Sequence, residues 1–466
     1  MEKRSFQEPN KRYSIEEQGV SFKFLTQFEN SNFIRKMSAG DPEAQRPWEF
    51  YASAFALQLN GTEDWGKLHL SVIPSYIGWG DVENGQAYFL SFADQVPSWQ
   101  GRYIPDSRKF YEAYRLIVTS YAIEYSADPV LQAKAREKAY ILEVTLHDYD
   151  DGWINVGYRW RGFDSFQRNN FPQNRWKSFD EWYATNGANT MKILRDRITL
   201  ATAEYQSVMN SMGVSVALLA EAISNVSNEA YFVRAKAEDG SILPYPGYTT
   251  DFKFNEFVDT TLKNLRENPK YIAFQFSFNH KTGYYNESQT KWGADGTFSL
   301  GGGFAVNVGG KWEERTIDTE SNNFEVHVEF GGFHEFALKP GGWYSAAVLQ
   351  TIRNGPWVND SVVDRWLKQG REIWGKDGLL SLEAISALIA IQPRIRISLS
   401  TTDYHYYRKA YNAGAGVSFF GFRLGGGGGG SEHIAITWDD RTSTFEIIDN
   451  SGLPMLIATR SEVMPR

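Results

Sequence analysis

The sequence predicts an α+β protein: an aromatic-rich N-terminal region, a long antiparallel helical hairpin, and a C-terminal antiparallel β-domain, sandwich or barrel-like, with inserted helices. Three observations carry this. Apolar residues recur every seven positions from Met191 to Val226, as in a long packed helix. Beyond residue 231 the period falls to two, as in half-buried strands. The 466 residues include 15 Trp, 25 Tyr and 31 Phe but no cysteine. Disulfides, zinc–thiolate centres, iron–sulfur clusters and thiol catalysis are therefore excluded, and side-chain packing alone must hold the elements together.

Residues 1–104 are interrupted by Pro47, Gly61, Pro74, Gly78, Gly80, Gly85, Pro97 and Gly101, so loops with short elements are expected there. From Pro105 the pattern turns helical, with Phe110, Tyr114, Ile117, Val118 and Tyr121 on one face. A second helix opens at Asp128, a capping residue followed by Pro129, and places Ala135, Ala139, Leu142 and Leu146 on one stripe. The aromatic, basic stretch Trp153 to Trp182 reads as a connector. Met191, Ile198, Tyr205, Met212, Leu219 and Val226 then form the heptad stripe of a helix about 54 Å long, unless Gly213 breaks it. The helix after Pro129 is its expected antiparallel partner. Boundaries fall near residues 104 and 231, giving units 1–104, 105–230 and 231–466.

In the last unit Phe274, Phe276 and Phe278 alternate with polar residues. Two further alternating runs, Phe298 to Trp312 and Phe324 to Phe330, flank the acidic segment Glu313 to Asn322 and predict one long hairpin over 296–338. Residues 357–374 predict an amphipathic helix and Leu379 to Ile391 a short buried one. Strands are expected again at 394–401, 417–424, 433–438 and 444–459, the last with a turn at Asn450-Ser451-Gly452. Gly425 to Gly430 reads as a flexible loop.

The net charge of −8 argues against a nucleic-acid partner. Met1 to Asn10 has no apolar stretch of the kind a secretory leader carries, so synthesis in the cytoplasm is expected, with any release independent of a signal. The most apolar run stops short of a membrane-spanning helix. No nucleophile elbow or phosphate loop occurs, and no cofactor is implied.

Three constellations have chemical potential. His147, Asp148, Asp150 and Asp151 crowd acceptors before Gly152, but their spacing misses a calcium loop. Glu325, His327 and Glu329 share a strand face and are weak metal candidates with His334, because alternate strand residues stand ~6 to 7 Å apart. Trp79, Asp81, Asp94 and Trp99 combine stacking surfaces with carboxylates, as saccharide sites do.

The long hairpin carries the main functional expectation. One face holds Phe298, Leu300, Phe304, Val306, Val308 and Trp312, continued by Phe324, Val326, Val328 and Phe330. Each arm exceeds the ~9 to 11 residues that cross a bilayer as a tilted strand. The expectation is a non-enzymatic membrane-active or self-assembling protein, soluble when made. Its hairpin would enter lipid or contact another subunit, and the heptad stripe would support a homo-oligomer. The alternative is a hydrolase on a saccharide or aromatic-stacking ligand, with Asp81 and Asp94 catalytic and Trp79 and Trp99 stacking. A lipid membrane or a glycan is the expected partner beyond copies of the chain itself.

Overall fold

The computed structural model describes residues 42–61, 68–76, 82–97, 99, 102–103, 108–121, 128–211, 217–237, 240–249, 254–281, 303–308, 311–376, 378–420, 422–424 and 433–465. Trp79, Asp81, Pro105, Met212, Gly213, Phe298, Leu300 and the Gly425–Gly430 tract lie outside them. Of the described residues 48% are helical and 27% are in strands, which makes the chain an α+β protein as expected.

The first half contains α1 (Pro42–Asn60), β1 (Leu68–Tyr76), α2 (Val82–Ala93), β2 (Arg102–Tyr103), α3 (Phe110–Ser120), α4 (Pro129–Asn170), α5 (Phe179–Asn186), α6 (Ala188–Ser211) and α7 (Ala217–Asn225). There follow β3 (Phe232–Lys236), β4 (Ile242–Pro246), β5 (Tyr248–Thr249), α8 (Phe254–Glu267), β6 (Phe274–Asn279), β7 (Phe304–Val308), β8 (Lys311–Glu314), β9 (Glu325–Ala337) and β10 (Lys339–Pro340). The chain continues through α9 (Ala346–Ile352), α10 (Val362–Lys368), β11 (Leu382–Ser398), α11 (Thr401–Asn412), β12 (Val417–Phe419), β13 (Phe422–Leu424), β14 (Ile434–Asp439), β15 (Thr444–Asp449) and β16 (Pro454–Val463).

β6, β9 and β11 form an antiparallel meander. The far edge of β11 is shared end to end by β15 and β16, with Arg394 opposite Ile448 and Ile391 opposite Pro454. β14 lies outside β15, while β1 and then β2 lie outside β16. Strands from the beginning and the end of the chain therefore share one sheet, and Ser38–Arg466 forms one compact unit.

The sheet is creased across its middle. On β11, Leu388 and Ala390 face the larger core before the crease and Ile395 and Ile397 face it afterwards. This change of parity is absorbed at Gln392, whose φ is 52°. Opposite it on β9 stand Gly331 and Gly332, and on the other side the turn 450–453 interrupts β15 and β16. Helix α8 lies along the crease. A Cβ on Gly332 would overlap the Thr261 methyl, and one on Gly331 would come within 2.7 Å of Leu265 Cδ2. Gly452, at φ 67°, meets Leu262. Glycine is required here because only a bare backbone lets a helix approach this closely.

Two cores result. The larger packs α1, α11 and a small sheet, ordered β13-β12-β7-β8, against one face of the creased sheet. The smaller packs α2 and α8 against the other face, on the Ile389 side of the crease. Beyond the crease that second face carries Glu325, His327, Glu329, Arg394 and Arg396.

A helical hairpin forms from α4 and α6; of the single helix expected over 191–226, α6 ends at Ser211 and α7 begins at Ala217, with 212–216 outside the described residues. Asp128 accepts from the Val130 amide, and Pro129 starts α4. α6 runs antiparallel to α4: Lys138 pairs with Glu204 at 2.8 Å, and Gly152 leaves room for Leu194. Around Trp343, fully buried, Phe110, Tyr111, Tyr114 and Tyr248 stand edge-on and join α3 to the β-region.

Several expectations need correction. The 296–338 hairpin does not exist as one unit. β7 pairs with β8 and β12, whereas β9 pairs with β6 and β11. Val308 pairs with Lys311, so the first arm turns back before the acidic segment. The predicted buried helix 379–391 is the first part of β11. Residues 387–391 are all fully buried because both faces are covered, which erases the alternation that marks a strand. The connector 153–182 is mostly helix, since α4 runs unbroken to Asn170 with Trp153, Val156, Trp160 and Gln167 on its buried face. In 357–374 only α10 is helical. In 1–104, α1 is a 19-residue helix despite Pro47 in its second turn.

Candidate functional site

The meander places two long connections at one end of the sheet. β6, β9, β11 and β15 alternate in direction, so the β6–β9 and β11–β15 connections both leave from the end opposite the β9–β11 connection. The first contains β7 and β8, and the second contains α11, β12, β13 and β14. They pair with each other through β7 and β12, with Ala305 opposite Ser418 and Val306 opposite Val417.

Beneath that pairing is an apolar layer. Phe304, fully buried, contacts Tyr407, Phe419 and Phe420 with ring centres 5.3–5.8 Å apart. Val306, Val417, Phe422 and Leu424 are also buried. Above it the ties are polar. The Asp318 amide donates to Asp403 at 3.1 Å, the Arg315 guanidinium lies 3.6 Å over the Tyr406 ring, and Arg46 of α1 meets Glu320 at 3.1 Å.

Phe324, Val326, Val328 and Phe330 are fully buried in the larger core, in a different sheet from Phe304, Val306, Val308 and Trp312. The predicted apolar face is thus divided. Of the heptad stripe, Met191, Ile198, Tyr205, Leu219 and Val226 are buried inside the chain. They pack its own helices and offer no surface to a second copy in this state.

Glu325, His327 and Glu329 do lie on one face. His327 Nε2 is 3.0 Å from Glu329 Oε1, and Glu329 also faces Arg394 at 3.9 Å. Among the described residues no three His, Asp or Glu side chains converge on a metal-sized position. His334 instead packs edge-on against Phe336.

Asp94 is only 5% exposed at the C-terminus of α2. It accepts from the Tyr111 amide at 2.9 Å and from the Tyr248 hydroxyl at 3.2 Å. Burial pushes its carboxyl up to about 7, against the opposing pull of Lys109 and the Tyr111 amide. Trp99 is half-buried.

Sequence reasoning missed a cleft of about 260 Å³ between α1 and the β6 edge, lined by Ser53, Leu57, Gln58, Gln275, Ser277 and His327. Its only sequence signal is the polar side of the Phe274–Phe278 alternation. It also missed the association of the two connections, for which the short alternation Val417, Phe419 was the available sign.

No protein-family model, curated protein or solved structure matches this chain.

Proposed function

We propose that this is a membrane-active protein whose two connections leave the larger core, extend the meander as new strands and enter a lipid bilayer. The observation that carries this reading is their common origin at one end of an antiparallel sheet, paired over a buried apolar layer. No helix among the described residues is long and apolar enough to cross a membrane, and strands are the other spanning element available to a chain. Residues 280–324 divide into two arms of about 20 residues, above the ~9 to 11 a tilted spanning strand needs. Moving Phe304, Val306 and Phe419 from protein core to hydrocarbon keeps them out of water, so the exchange costs little hydrophobic energy.

The test uses the absence of native cysteine. In the extended form 303–324 would run as one arm, so β7 and β8, which fold back on each other here, would lie end to end. A disulfide between them therefore blocks extension. Ala305→Cys with Glu314→Cys joins directly opposed positions, within the span a disulfide bridges. Dye release from liposomes is expected from wild type, to fall at least about tenfold in the oxidised variant, and to return on reduction. Equal release from oxidised and reduced variants, or no release from wild type, removes the proposal.

A further inference from the structure

We propose that the free end of the helical hairpin, residues 158–178, is a docking surface for bilayers with anionic headgroups, an inference that rests on the membrane reading above. This stretch carries Arg159, Arg161, Arg168, Arg175 and Lys177 against one acidic residue, Asp164, in a chain of net charge −8. The local sign is opposite to that of the molecule. Exposed apolar rings stand among these cations: Tyr158 is 54%, Phe166 55% and Phe171 44% exposed. Phe166 and Phe171 meet edge to face at 5.8 Å, at the point where α4 ends.

The surface is held in shape before any ligand arrives. Gln167, 2% exposed, donates through Nε2 to the Lys177 carbonyl at 3.1 Å and accepts from the Lys177 amide at 2.8 Å. Trp176 Nε1 donates to the Phe171 carbonyl at 2.9 Å, and Ser178 and Glu181 form a reciprocal cap. Below, Trp160, Phe163, Phe179 and Trp182 pack into an aromatic base. Little ordering entropy remains to be lost on docking.

Charge complementarity and ring geometry choose the occupant. Exposed Phe rings enter the acyl boundary, while Arg and Lys stems lie along apolar surface and leave their heads among phosphates. An edge-to-face pair presents no parallel slot for a nucleic-acid base.

Co-sedimentation of the full chain with vesicles of phosphatidylcholine alone, or with about a third phosphatidylserine, tests this. Wild type is expected to bind the anionic vesicles at least about tenfold more tightly, and high salt to weaken that binding. Arg175→Gln with Lys177→Gln is expected to lose about 30-fold, at roughly fivefold per surface cation. Phe166→Ser with Phe171→Ser should lose at least about tenfold at every salt concentration. All four side chains are exposed, so unchanged thermal unfolding is the control on folding. Equal binding to both vesicle types, wild-type binding by both variants, or displacement from vesicles by duplex DNA overturns the proposal. Binding without dye release removes the pore reading and leaves this surface standing. Undiminished dye release from both variants does the reverse.

Discussion

Asp94 sits where α2, α3 and β5 meet, and its protonation state is coupled to their packing. Its carboxyl is raised from 3.8 to about 7 by burial, so between these values the folded protein holds a proton that the unfolded chain releases. The stability this contributes is present below about pH 4 and is lost as pH rises through about 7. The difference sets an upper bound of about 4 kcal/mol. The midpoint of thermal unfolding is therefore expected to fall between pH 5 and pH 8 in wild type, and to fall less in Asp94→Asn, which keeps an acceptor for the Tyr111 amide. Identical pH profiles would show that Asp94 is not the group responsible. The sequence singled out Asp94 for its aromatic neighbours. It did not reveal the burial, because Tyr111 and Tyr248 reach the carboxyl from 17 and 154 positions away.

Among the elements, α8 and the crease make the sharpest comparison. Gly332→Ala puts a methyl where Thr261 already is, and a cost of about 1–3 kcal/mol is expected from overpacking. Gly162→Ala, in an open position within α4, should stabilise by about 0.5–1 kcal/mol. Denaturant unfolding of the two variants checks both signs. Legibility also differed from element to element. The start of α4 was readable from Asp128-Pro129, and β9 from the alternation Phe324 to Phe330, because a cap and a one-sided strand are local signals. β11 was not, since Leu388 and Ile389 are buried on opposite faces by partners distant in sequence. The far half of α4 was hidden because its aromatics lie on both sides of the helix, Trp160 inward and Phe166 outward.

For the whole molecule, the expected self-association meets a constraint. The heptad residues that would have joined copies are spent inside the chain. Light scattering is accordingly expected to give the mass of one chain, 53.1 kDa, in solution. Under the membrane reading, cross-linking should give higher species only on anionic vesicles. A stable dimer without lipid would mean that another surface joins copies. The candidate site was partly legible: Phe304 and Val306 were found by alternation, but their pairing with residues beyond 416 is a tertiary fact that no local period encodes.

The position of β16 bears on biosynthesis. It is the last described strand to be made, yet it is an interior one, inserted between β11 and β1 with Leu68 opposite Arg460. β1 is thus made about 390 residues ahead of its antiparallel neighbour, with only the two-residue β2 beside it meanwhile. Such long-range closure is slow and leaves an apolar edge exposed while it is pending. A nascent chain stalled before residue 454 is therefore a natural client for chaperones.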